Sequence, residues 1–82
     1  MMKLTIVTIQ QEAEHDVDWV ELNSPVGNMI IQPEHAPMII ELSPQKELVY
    51  QLISGKQIRM KITQGIAHIT RQGMTVLLPT MS

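Results

Sequence analysis

Cysteine and phenylalanine are both absent from this sequence, and the aromatic residues are reduced to Trp19 and Tyr50. Without cysteine there are no disulfides, no thiolate metal sites and no cysteine nucleophiles, and the expected setting is intracellular. With two aromatics there is no base-stacking platform and no large aromatic pocket. No basic excess exists either: six Lys and Arg stand against eight Asp and Glu, a formal charge of −2. Lys46, Lys56, Arg59, Lys61 and Arg71 form no dense cluster, so nucleic acid is not an expected partner. The apolar run after Met1, Met2 and Lys3 is too short for a signal peptide, and nothing approaches the ~20 apolar residues of a membrane span. The expectation is a protein soluble by itself. At 82 residues the chain is expected to be one domain, 1–82. So short a chain buries only about two-thirds of its unfolded surface, which favours assembly with a partner.

What is present is short-range alternation of apolar and polar residues, broken every few positions by turn residues. That is the pattern of antiparallel β structure. The clearest strand is 57–63, with Ile58, Met60 and Ile62 on one face and Gln57, Arg59, Lys61 and Thr63 on the other. Other strands are expected at 3–9, 17–23, 28–32, 38–42, 47–53, 66–70 and 73–78, about eight in all. Gly27, Gly55, Gly65 and Gly73 fit turns that need positive φ, while Pro25, Pro33, Pro37 and Pro44 end ladders because they lack a donor. Gln64-Gly65 and Gln72-Gly73 resemble tight hairpin connections. Only 10–16 and 44–52 have any helical character, and neither carries an adequate apolar stripe. The fold class expected is all-β, a small two-sheet antiparallel β-sandwich with Ile6, Val20, Ile58, Met60, Ile62 and Val76 in its core. The runs 29–31 and 38–40 are apolar throughout. Either both faces of those strands are covered, one of them by a partner, or they are ordinary strands of a small sandwich.

A search for chemistry is empty. His15, His35 and His68 are placed in a loop, between two prolines and in a strand, without metal-site spacing. His35 is held in the Pro33-Glu34-His35-Ala36-Pro37 segment, where a backbone hydrogen bond from the ring accounts for it better than catalysis. Glu12, Glu14, Asp16 and Asp18 crowd one stretch but lack the glycine and closing glutamate of a calcium loop. There is no phosphate-cradling loop and no nucleophile elbow. No catalytic residue, metal or cofactor is expected, and the residues by themselves describe a small β-sandwich whose work is binding.

From Val26-Gly27-Asn28-Met29-Ile30-Ile31 through Gln32-Pro33-Glu34-His35-Ala36-Pro37 the sequence resembles the F-type ATP synthase epsilon subunit. That family's signature runs approximately Gly, acid, Leu or Phe, Gly, Ile, Leu, Pro, any, His, Ala, Pro. The resemblance extends to strand 3–8, to Val17-Asp18-x-Val20-x-Leu22, to Thr63-Gln64-Gly65-Ile66-Ala67-His68-Ile69 and to Gly73-Met74-Thr75-Val76-Leu77. It covers nearly the whole chain in order.

The resemblance implies a flattened, ten-stranded sandwich that performs no covalent chemistry. It implies a central-stalk subunit of a proton- or sodium-translocating ATP synthase, joining the gamma subunit to the membrane c-ring. The chain would then sit on the cytoplasmic face of the membrane, touching it only through the complex. On this reading Thr8, His35, Ala36, Pro37, Met38, Ile40 and Thr75 face gamma, and Val26, Gly27 and Asn28 face the ring. Asn28 stands where the family usually has an acid, Ile30 where it has a glycine, and Gln64 replaces the first glycine of a pair. Family members commonly continue into two helices, whereas this sequence closes at Leu78-Pro79-Thr80-Met81-Ser82, so the regulatory half is expected to be absent. Two rivals stand beside this reading. One is a free-standing binding module of the same fold outside an ATPase. The other is an enzyme using His35 with Glu34, which the opposite orientation of adjacent extended residues disfavours.

Overall fold

The computed structural model describes residues 2–79. Among them there are eight strands and no helix: β1 (Met2–Thr8), β2 (Glu12–Ser24), β3 (Gly27–Ile31), β4 (Met38–Glu41), β5 (Lys46–Leu52), β6 (Gln57–Ile62), β7 (Ile66–Ile69) and β8 (Gly73–Leu78). Every proline among the described residues lies in a connection or after β8, as the loss of a ladder donor requires.

The strand order is β4-β7-β8-β1-β2-β5-β6, with β3 also on β2. The key element is β2, which at 13 residues serves both sheets of the sandwich. Its first part pairs with β1 (Val7↔Glu12 to Met2↔Val17), and its second part lies between β3 and β5. The register shifts between Val17 and Trp19, and this bulge resets which face looks inward. Before it the inward residues are Ala13, His15 and Val17; after it they are Val20, Leu22 and Ser24. One strand thus turns the corner of the sandwich, and the described strands number eight, where the resemblance implies ten.

The core draws on both sheets. Leu4, Ile69, Met74 and Val76 come from one, and Val20, Leu22, Ile31, Leu48, Tyr50 and Ile62 from the other. Of the residues expected in the core, Ile6, Val20, Ile62 and Val76 are buried, while Ile58 and Met60 are half-buried and pack against it, because β6 is an edge strand. Burial pushes the Tyr50 phenol above its ordinary value of 10.0, so its contribution to stability is lost as pH rises through that raised value.

Several expectations need correction. The sheet is not wholly antiparallel, since β1 and β8 pair in parallel; strands this distant in sequence escape the constraint of a hairpin. Of the two segments with some helical character, 44–52 holds the strand expected at 47–53, observed as β5 (Lys46–Leu52), while 10–16 holds the start of β2, where no strand was expected. His15 lies in β2, not a loop, with its ring 5.3 Å from that of Tyr50. Gln64-Gly65 is not a hairpin turn: β6 pairs with β5, and β7 pairs with β4 and β8, so this connection crosses between sheets.

Positive φ is found at Gly27 (133°) and Gly55 (99°) but not at Gly65 or Gly73. Those two are required by close approach instead. A Cβ on Gly73 would stand 2.5 Å from the Lys3 carbonyl oxygen, and one on Gly65 would meet Leu78 Cδ2 at 2.8 Å and the Leu77 carbonyl oxygen at 3.0 Å. At Gly73 the obstacle is the backbone of the paired strand, which cannot swing away. Gly73→Ala is therefore expected to destabilise the fold by about 1–3 kcal/mol, read as a lower urea midpoint with the slope unchanged.

Candidate docking surfaces

Outward-facing residues of the β4-β7-β8-β1 sheet are unusually apolar. Cross-strand register sets Glu41, Ile66, Leu77, Val7 and Glu12 in one row, from β4 across to β2. The next row on the same face is Ile39, His68, Thr75, Thr5 and Glu14. Ile39, Ile66 and Leu77 are all exposed, and so is Ile9 in the turn after β1. An open groove of about 800 Å³ runs along this apolar row, lined by Val7, Ile9, Ile39, Ile66 and Leu77 among others. Leaving several large aliphatic side chains contiguous in water is unfavourable, and such a patch on a small chain marks a surface built to be covered.

Of the residues expected to meet gamma, Thr8, Met38, Ile40 and Thr75 fall on this sheet, though not all on its face, and His35, Ala36 and Pro37 lie in the loop leading into β4. Thr75 lies on the outer face, between His68 and Thr5. Thr8 lies at the far end of β1, where its hydroxyl closes the turn by donating to the Gln11 carbonyl oxygen (3.2 Å) and accepting from the Gln10 and Gln11 amides. Met38, by contrast, begins β4 opposite Ile69, at the other end of the sheet, in the inward row of Ile69, Met74 and Leu4, and is 36% exposed only because it lies at the strand end. Ile40 is a correction: it is 7% exposed and belongs to the core, whereas its neighbour Ile39 is 71% exposed. In an all-apolar triplet the alternation that assigns faces is invisible, so the sequence could not say which isoleucine points out. The runs Val76-Leu77-Leu78 and Ile66-Ala67 carried the same signal of two covered faces, and with it Leu77 and Ile66, which sequence reasoning had not singled out.

The loop leading into β4 is stiff. Nδ1–H of His35 donates to the Ala36 carbonyl oxygen at 2.8 Å, the His35 amide donates to the Gln32 carbonyl oxygen at 3.2 Å, and Glu34 holds a φ of 68°. Pro33 and Pro37 fix φ on either side. His35, Ala36 and Pro37 are therefore presented with little conformational freedom left to lose on binding.

The second candidate surface is the β2–β3 hairpin. Ser24 pairs with Gly27 across the two-residue loop Pro25-Val26. The buried Ser24 hydroxyl donates to the Gly27 carbonyl oxygen (3.2 Å) and accepts from the Val26 amide (3.3 Å), which holds Val26 93% exposed at the tip. Asn28 Nδ2 donates to Glu21 Oε2 at 2.9 Å and to Asn23 Oδ1 at 3.3 Å. Asn28→Asp would turn the first of these contacts into two facing carboxylates. The expected loss is about 0.5 kcal/mol at pH 7. It should shrink at high ionic strength, as denaturant titrations at low and high salt would show.

Among the described residues there is no group of three or more His, Cys, Asp or Glu placed to hold a metal ion. The chain is a sandwich with one apolar outer face and a tight two-residue hairpin tip. The chain belongs to the family of the ATP synthase Delta/Epsilon chain β-sandwich domain, which it matches over residues 1–81. It is 32% identical to the ATP synthase epsilon chain of Xylella fastidiosa over 77 residues, 93% of this chain and 54% of the relative. The epsilon chain of Xanthomonas campestris is 34% identical over 80 residues, 96% of this chain and 56% of the relative. The chain thus spans about half the length of these curated relatives. In structure it is similar to a chain of the Euglena gracilis mitochondrial ATP synthase OSCP/F1/c-ring assembly, with a TM-score of 0.87 at 18% identity, covering 96% of this chain and 51% of that one. A chain of the Tetrahymena thermophila mitochondrial ATP synthase central stalk and c-ring gives a TM-score of 0.79 at 13% identity, over 96% of this chain and 63% of its counterpart. At these identities the structural likeness bears on the fold alone.

Proposed function

We propose that this chain is a non-catalytic central-stalk subunit of an F-type, ion-translocating ATP synthase, coupling the gamma subunit to the c-ring as one rigid domain. It would sit peripherally on the cytoplasmic side of the membrane. The observation that carries the reading is the outer apolar face of the β4-β7-β8-β1 sheet, in a chain whose family is that of the epsilon β-sandwich. On this reading Ile39, Ile66, Leu77 and Thr75 lie against gamma, with Thr8 at one end of the contact and His35, Ala36, Pro37 and Met38 at the other. The Val26-Gly27-Asn28 tip is assigned to the ring.

Torque passes through such a piece only if it does not deform. A continuous ladder through seven strands, a clamped His35 loop and a two-residue hairpin turn all favour stiffness. The test is co-expression with the gamma subunit encoded in the same genome. A tagged chain should carry gamma through affinity and size-exclusion steps as a stable complex. Clean separation of the two at micromolar concentration would overturn the coupling role and favour a free-standing binding module.

A further inference from the structure

The apolar row on the outer face is bracketed by carboxylates. Ile66, Leu77 and Val7 occupy β7, β8 and β1, with Glu41 on the edge strand β4 at one end of the row and Glu12 on β2 at the other. Both glutamates are exposed, and Glu41 lines the groove. The row beside it ends in Glu14, and the one beyond in Asp16. Lys3 is the one lysine or arginine on the strands of this face, and its ammonium is engaged by Glu14 at 3.7 Å. Arg71 lies in the β7–β8 turn, beyond the end of the sheet. Neither Glu12 nor Glu41 takes part in the ion pairs Lys3–Glu14 and Arg59–Glu47.

We infer that the surface of the partner covering this face is an amphipathic helix whose apolar stripe is flanked by lysine or arginine on both sides. Resting on the docking role proposed above, this adds the chemistry of the partner. An uncharged or acidic partner would strip water from two carboxylates without replacing it, whereas a cation on each side repays that desolvation and fixes the lateral register. The dimensions agree. From β4 to β2 the row crosses four interstrand spacings of ~4.8 Å, about 19 Å in all. A helix about 10 Å across with its side chains fills the apolar centre, and flexible basic side chains reach the remaining distance on either flank.

The experiment measures the affinity of the full chain for the gamma subunit of the same genome at low and high salt, for the parent, the Glu12→Gln, Glu41→Gln double variant and Leu77→Asp. Circular dichroism confirms that each is folded. The bracket predicts that the double variant binds roughly ten-fold more weakly at low salt and loses most of the parent's salt dependence. Parent-like affinity and salt dependence in the double variant, with binding abolished in Leu77→Asp, would overturn the cationic flanks and leave the docking face intact. Parent-like binding by Leu77→Asp would overturn the docking face, and the inference with it.

Discussion

Leu77→Asp is expected to abolish the complex with gamma while leaving the free domain folded. Leu77 is in the middle of the apolar row, 44% exposed, between Ile66 and Val7. Free in water, an aspartate there is solvated and costs the fold little, since its side chain points away from Val76 and Leu78, which fill the core. Covered by a partner, the same carboxylate is buried without a cation, a penalty of several kcal/mol. An apolar centre of this kind is where interface energy concentrates, so a loss of at least ~3 kcal/mol, over a hundred-fold in affinity, is the expected size. Titration calorimetry or co-elution reads it, with unchanged circular dichroism as the control. The matched substitution Ile40→Asp should behave differently. It places the charge in the core and should unfold the domain before any partner is met.

The second large effect is inside. Ile69 and Leu22 are fully buried, one in each sheet, and truncating either to alanine should destabilise the chain by about 3 kcal/mol or more. In a domain of this size that corresponds to a fall in Tm on the order of 12–24 °C. Against a total stability of about 5–15 kcal/mol that is a large share, so Leu22→Ala should melt well below the parent. Binding of gamma should recover part of that loss, since a ligand selective for the folded state stabilises it by mass action.

Much of this architecture was legible in the sequence because strand alternation is local. β6 reads directly from Ile58, Met60 and Ile62 against Gln57, Arg59 and Lys61, and β8 begins at the glycine that close packing demands. The start of β2 was not legible, because before Val17 its inward residues are only Ala13 and His15, too weakly apolar to show a period. The bulge at Asp18 then shifts the phase in mid-strand, which breaks any single alternation template. Pairing partners are a matter of tertiary packing. Nothing in Gly73-Met74-Thr75 announces a parallel neighbour, and the Gln64-Gly65 dipeptide looks the same in a crossover as in a hairpin. The docking face was half legible: contiguous apolar runs signalled coverage on both faces, and the Ile39 and Ile40 parity could be settled only by seeing which one meets Ala67, Val76 and Ile6 in the core row.

The absence of cysteine makes the central claim directly measurable. Single substitutions Ile66→Cys, on the outer face of the first sheet, and Gln51→Cys, in β5 of the second, each provide one thiol whose maleimide labelling rate reports its exposure. Comparing the rates in the free chain and in the complex with gamma tests where the partner sits. The account predicts strong protection at position 66 and an unchanged rate at position 51. Protection at 51 with free labelling at 66 would contradict it and move the docking surface to the opposite sheet.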